Sequence, residues 1–422
     1  MTTLAVTPEA GVARTVLPNG LTVLSESVPG VRSVAIGAWV RTASMHEPPA
    51  RMGIAHLLEH MVFKGTAKYG ARELALSLEV LGGSLDAYTT REHTSYQARV
   101  LDEHLPQACD VIGELVFRPR LAEADLKLER KVVLEEIAMV DDTPDDVVFD
   151  LHAAAMYPGH PYGYSILGTK ETVRAIAAAD LQALHAASYH PANVVVAAVG
   201  SVTHEGLLDA LERTGWHGVP ASPVAPPAAP TPMAPVTGRS HVHRRDATQV
   251  HVVLGGPAPA QRADDREAFA VATTLLGGGM SSRLFQKVRE ELGLAYTVYS
   301  YTNTQADMGQ HGVYLATNPK QGDDALAVVL DELAAVAAGA MTDDEIAAGV
   351  SQLKGQTVLS LDGLSARLYR AAGVALYDEP YKSLAELLAE LDAVTPARVR
   401  AACAAYLDPA RQYLLTLGPA RA

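Results

Sequence analysis

The 422-residue chain has a formal net charge of −14 and two widely separated cysteines, Cys109 and Cys403. An acidic chain with no basic run excludes nucleic acid as a general partner, and two distant cysteines argue against a disulfide scaffold or a thiolate metal site. The length suits two domains of about 200 residues better than one core. The opening MTTLAVTPEAGVARTVLPNG lacks the order of a secretory signal, and no stretch approaches the ~20 apolar residues of a membrane span. The chain therefore reads as soluble and cytoplasmic, without a membrane partner.

In RTVLPNGLTVLSES, Asn19-Gly20 between two β-favouring runs predicts a tight hairpin, and SVAIGAWV (Ser33 to Val40) predicts a further strand. The next stretch, GIAHLLEHMVFKGT, runs from Gly53 to Thr66. If helical, it sets His56 and His60 four apart with Glu59 three past His56, so all three side chains leave one face. Two neutral imidazoles suit Zn²⁺, and a carboxylate one turn away can take a proton from a water on an open position of the ion. H-x-x-E-H is the inverted zinc-peptidase pattern. The alternative is an amphipathic helix with Ile54, Leu57, Leu58 and Met61 in the core and the histidines merely polar.

Helical spacing continues from Ala71 to Leu81, ending at Gly82-Gly83, and SLDAYTTREHTSYQARV predicts a strand or strand pair. Leu105 to Phe117 and Ala122 to Val140 are apolar at helical spacing. The second of these presents Glu129 and Glu136 on nearly one face, two turns apart. With two histidines and a water, a tetrahedral site needs one more protein ligand. Glu136 is the candidate, so that one carboxylate binds the metal while the other orients a ligand from outside its contact shell, and the alternative is that Glu129, Glu135 and Glu136 are solvated charges on an amphipathic helix. A helix from Lys170 to Ala187 and a buried strand, Asn193 to Gly200, close the first half. Residues 219–237, containing VPASPVAPPAAPTPMAPV, are Pro/Ala-rich and read as a linker between domains at 1–218 and 238–422.

The second half repeats the order without the metal residues. VHVVLGGPA answers the SVAIGAWV strand, and Asp265 to Leu276 answers the motif helix. LAYTVYSYTNT and HGVYLATN answer the Tyr/Thr-rich strands, and Tyr413 to Leu417 closes the half. The expected fold is α+β: two homologous α/β domains, each a mostly antiparallel sheet packed with helices.

GIAHLLEHMVFKGT, the downstream ERKVVLEE and the second-half GGGMSSRLFQKVREELGLAY together resemble the pitrilysin/insulinase family of zinc peptidases, in its mitochondrial-processing-peptidase-like branch. The resemblance runs from LPNGLTV to the last strand. It implies one zinc per chain held by His56, His60 and Glu136, with Glu59 as general base and Glu129 as a supporting acid. It implies that a peptide substrate adds as a strand to Gly83, Ser84, Leu85, Asp86, Ala87, Tyr88, Thr89 and Thr90. The family usually has Asn where Asp86 stands, and an ionised carboxylate donates no hydrogen bond. Arg289 and Tyr296 match a family pair that reaches substrate near zinc. Because the family closes a chamber from four such domains, the resemblance implies a homodimer with sites shared between chains. Two other readings follow from the same superfamily: a non-catalytic binding or assembly subunit, and an active subunit that needs an inactive partner.

Overall fold

The computed structural model describes residues 11–222 and 224–419. The first hairpin joins β1 (Val12–Val16) to β2 (Thr22–Ser27). Its loop is wider than a two-residue turn, closed by Leu17 N to Leu21 O at 2.8 Å, and Gly20 takes φ +93° in it. β3 (Ser33–Val40) follows as the pattern predicts, then α1 (Ile54–Val62) and α2 (Ala71–Glu79). The Tyr/Thr-rich stretch forms a strand pair, β4 (Ser84–Thr89) and β5 (Thr94–Leu101). α3 (Leu105–Phe117), α4 (Glu123–Asp141) and α5 (Pro144–Met156) come next. The single helix expected over Lys170 to Ala187 is two, α6 (Lys170–Ala175) and α7 (Ala178–Ser188). Ile176 is extended, and the Asp180 carboxylate accepts from Ala177 N at 2.9 Å, which caps a new helix. β6 (Val194–Gly200) and α8 (His204–Arg213) precede the Pro-rich stretch, which contains no helix or strand among its described residues. The remainder comprises β7 (Arg239–Arg244), β8 (Val250–Ala258), α9 (Arg266–Gly277), β9 (Thr297–Thr304), β10 (Gly309–Thr317), α10 (Gly322–Ala337), α11 (Asp343–Ser360), α12 (Leu364–Leu376), α13 (Leu384–Asp392), α14 (Pro396–Tyr406) and β11 (Tyr413–Gly418). Among the described residues no helix is long and apolar enough to cross a membrane.

The chain folds as two compact units, and their composition differs from a division into contiguous halves. Among the described residues, one unit holds the chain up to Ile137, Tyr164–Pro230 and Ser360–Ser383, and the other holds Ala138–Gly163, Thr231–Leu359 and the chain from Leu384 onward. The first sheet has the order β1-β2-β6-β3-β5-β4, with only β2 and β6 parallel. One face packs against α1, α3 and α8 around Ile36, Leu57, Leu58, Met61 and Ile112. The other face is covered by α12, whose Leu364, Leu368, Ala371 and Ala372 bury against Leu24, Trp39, Val195, Ala197 and Val199.

The second sheet has the order β7-β11-β8-β10-β9, with only β7 and β11 parallel. It repeats the order β2-β6-β3-β5-β4, so the duplication read from the sequence holds strand by strand. Its core gathers Val252, Leu254, Phe269, Leu276, Val313 and Leu333, with α9, α10 and α14 packed together. α5, from the first half of the sequence, packs on β8 and β11 here, just as α12, from the second half, packs in the first unit.

Within the second unit His152 of α5 is fully buried, with Nε2 3.0 Å from Tyr413 O and Nδ1 3.3 Å from Gln310 Nε2. Burial lowers its pKa from 6.5 to about 4, partly opposed by the bond to Tyr413. The unfolded chain then binds a proton below pH 6.5 that the folded chain refuses until about 4, so stability is lost as pH falls across that window. The full loss at this site is on the order of 3 kcal/mol. His152→Gln is expected to flatten this part of the stability profile, measured by urea unfolding between pH 7 and 4; an unchanged profile refutes the assignment.

Candidate metal centre

α1 is positioned from its first turn. Gly53 caps it at φ +85°, and a Cβ there would lie 2.4 Å from Leu167 O, so this position demands glycine for both conformation and space. The buried Glu47 carboxylate accepts from Gly53 N and Ala55 N, each at 2.8 Å, and Thr172 Oγ1 donates to Met52 O at 2.8 Å. Burial pushes the Glu47 carboxyl up to about 8, while the two N–H bonds pull it down. The apolar face of α1, with Ile54, Leu57, Leu58 and Met61, enters the core as its spacing predicts.

The opposite face meets α4. His56 Nε2 lies 3.7 Å and His60 Nε2 3.6 Å from Glu136 Oε2, and the three donors all lie within 4.8 Å of one another. Metal–ligand bonds of about 2.0–2.1 Å in a tetrahedron put donors roughly 3.3 Å apart, so this cradle fits a zinc-sized ion with a small contraction. His60 Nδ1 is 2.9 Å from Glu129 Oε1, which leaves Nε2 facing the cradle, and Glu129 Oε2 is 2.5 Å from Lys64 Nζ. His56 Nδ1 is buried without a hydrogen-bond partner, so His56 lacks the support that Glu129 gives His60.

The electrostatics follow from these contacts. Burial, with a smaller contribution from His60, lowers the pKa of His56 to about 3, keeping it a neutral donor. Burial also disfavours charge on His60, but the bond to Glu129 and the nearby carboxylates outweigh it and raise its pKa. Burial pushes against ionised Glu129 as well, yet its bonds to His60 and Lys64 outweigh that and hold its pKa below the ordinary value. Glu59 is buried, and burial raises its pKa against the bond from Thr89 Oγ1, 2.6 Å from Oε2.

That bond ties the site to β4, the edge strand of the first sheet, which among the described residues pairs only with β5. Ser84, Leu85, Asp86, Ala87, Tyr88 and Thr89 form the strand, with Gly83 and Thr90 flanking it. Arg289 and Tyr296 lie together in the second unit: Arg289 Nη1 donates to Tyr296 O at 3.0 Å, and its guanidinium sits 4.2 Å from the Tyr296 ring centroid. Tyr296 is 75% exposed, so it is no core tyrosine. Sequence reasoning missed Glu47, Lys64 and the Thr89 bond to Glu59; only Lys64, four residues past His60, left a local signal.

The fold and this cradle define a two-domain α/β protein with an H-x-x-E-H centre. Residues 22–170 match the family described as Insulinase (Peptidase family M16), and residues 175–353 match the Peptidase M16 inactive domain. An uncharacterized zinc protease of Streptomyces coelicolor is 41% identical over 97% of this chain and 90% of its own length. Another, from Bacillus subtilis, is 38% identical over 90% of this chain and 92% of its own. The chain belongs to the M16 peptidase family. A Helicobacter pylori protease shares the fold at a TM-score of 0.89 and 22% identity, over 97% of this chain and all (100%) of that one.

Glu47→Ala leaves two N–H groups without an acceptor at the start of α1 and is expected to cost about 1–3 kcal/mol. Urea unfolding measures this, and a change below about 0.5 kcal/mol would show that the clamp is dispensable.

Proposed function

We propose that this chain is a zinc-dependent endopeptidase of the mitochondrial-processing-peptidase-like branch, cleaving peptides or unfolded segments. The observation that carries the reading is the convergence of His56, His60 and Glu136 beside the buried Glu59 and an open strand edge. The zinc-protease names of the relatives support zinc as the metal, and the one such three-ligand cluster among the described residues supports one ion per chain. When bound, zinc supplies Lewis acidity toward a peptide carbonyl and acidifies a water. Glu59 takes the proton from the attacking water and delivers it to the leaving nitrogen, with Thr89 fixing the carboxylate. Glu129 holds the ring of His60 in place, and Lys64 holds Glu129. An extended peptide pairs with the edge from Gly83 to Thr89, which binds backbone with little regard to sequence.

Arg289 and Tyr296 are assigned to substrate contact near the developing charge. One chain carries both this pair and the metal residues, which supports a symmetric homodimer with each site drawing on both chains.

Two measurements test these proposals. The purified chain should hold one zinc, lose peptide cleavage to a chelator, and in the Glu59→Gln form keep zinc while losing about 100- to 10,000-fold in rate. Zinc retention with cleavage of no peptide in a mixed library would instead favour a binding role. Mixing Glu59→Gln and Tyr296→Phe chains should restore activity above either alone, and no gain on mixing would end the shared-site proposal.

A further inference from the structure

Behind the clamp on α1 lies a cavity of about 240 Å³. Ile54 of α1, Leu184 and Ala187 of α7, and Pro227 of the Pro-rich stretch give it apolar walls. Ser222 Oγ, donating to Ala186 O at 2.9 Å, lays that stretch along α7. The polar lining comes from His46, Glu47, Arg51 and Asp180. Arg51 Nη2 is 2.8 Å from Asp180 Oδ1, so these two balance each other's charge. Burial lowers the pKa of His46, whose Nδ1 accepts from Ala43 N at 3.1 Å, and keeps its ring neutral. Glu47 is left without a counter-ion: it is 5% exposed, and its partners are the Gly53 and Ala55 N–H groups, with no ion pair among the described residues. Those two bonds do not balance the charge, since burial keeps the carboxyl pushed up to about 8 in spite of them.

We infer that this cavity is a binding site for a small primary ammonium ion with an apolar body, its charged head on Glu47 and its chain against Ile54, Leu184 and Ala187. A buried carboxylate without a cation is costly, and an ammonium group, with three donors and a full charge, removes that cost. The apolar walls shelter an alkyl chain from water. At about 240 Å³ the space falls below the ~300–1,000 Å³ of drug-sized sites, so it suits a simple amine rather than a peptide or a nucleotide. An apolar anion would meet an uncompensated carboxylate, and a neutral alcohol would leave the charge of Glu47 unbalanced. A bound cation holds Glu47 ionised, and an ionised carboxylate accepts more strongly from Gly53 N and Ala55 N. Occupancy of the cavity is therefore felt at the start of the helix that carries His56, Glu59 and His60, whether or not the chain cleaves peptides.

The test titrates the full chain with n-hexylammonium, n-hexanol and n-hexanoate by calorimetry, at a pH above the value at which Glu47 ionises and below that at which the amine loses its proton. Hexylammonium is expected to bind about tenfold or more tightly than either of the others. Hydrogen exchange at the Gly53 and Ala55 amides should slow by about two- to tenfold with the amine bound and stay unchanged with hexanol. Ala187→Phe fills the cavity from α7 and should abolish amine binding, with the smaller Ala187→Leu as the check should Phe disturb folding. Glu47→Gln should bring hexylammonium and hexanol to equal affinity; where that variant does not fold, the Ala187 variants and the exchange measurement decide. An amine preference that is lost in the filled cavity, with slowed exchange at the two amides, supports the inference. Equal binding of the three compounds, no measurable binding of the amine, binding that survives in the filled cavity, or unchanged exchange at both amides overturns it.

Discussion

The clamp on the first turn of α1 is the constraint on which the site depends. A helix places His56, Glu59 and His60 on one face by spacing alone, but spacing does not aim that face at anything. Aim comes from Glu47 on the first N–H groups, from Thr172 on Met52 O, and from the close approach of Gly53 to Leu167 and Gly168. With the helix start fixed and its apolar side in the core, the polar face meets Glu129 and Glu136 on α4. The cradle is thus built by packing two helices whose other faces are already committed.

The two sheets show what duplication keeps and what it releases. Strand order and the single parallel pair persist, because they follow from connection rules and from burying apolar faces. The side chains on the helix equivalent to α1 are freer. α9 has Thr273 bonding its own backbone at Phe269 O and Phe269 packing on His311 and Tyr406, so the helix equivalent to α1 is committed to ordinary core contacts. The chemistry of the motif is therefore separable from the fold that carries it.

Much of this was legible in the sequence because it is local. The 3.6-residue period put HLLEH on one face, alternation in the Tyr/Thr-rich stretch marked β4 and β5, the run SVAIGAWV marked β3, and resemblance supplied the pairing of Glu136 with the histidines. What escaped is non-local. Nothing in the amphipathic patterns of α5 and α12 says which sheet each covers, since an apolar face fits any apolar face. The break at Ile176 turned on one carboxylate, Asp180, capping a new start. Thr89 looked like a β-favouring residue, and only strand alternation plus the position of α1 gives its hydroxyl to Glu59.

The sheet edges themselves carry a final argument. An exposed edge invites unwanted pairing, and proteins guard such edges with charge. β7 is guarded in this way: every residue is exposed, and Arg239 and Arg244 stand at its two ends. β4 is not. It has one charge, Asp86, amid small, hydroxyl and aromatic side chains, and it lies against the metal cradle through Thr89 and Glu59. Openness alone does not set β4 apart, since β9, the edge strand of the second sheet, is also without a charged residue; what distinguishes β4 is the reach of Thr89 from that edge to the buried Glu59.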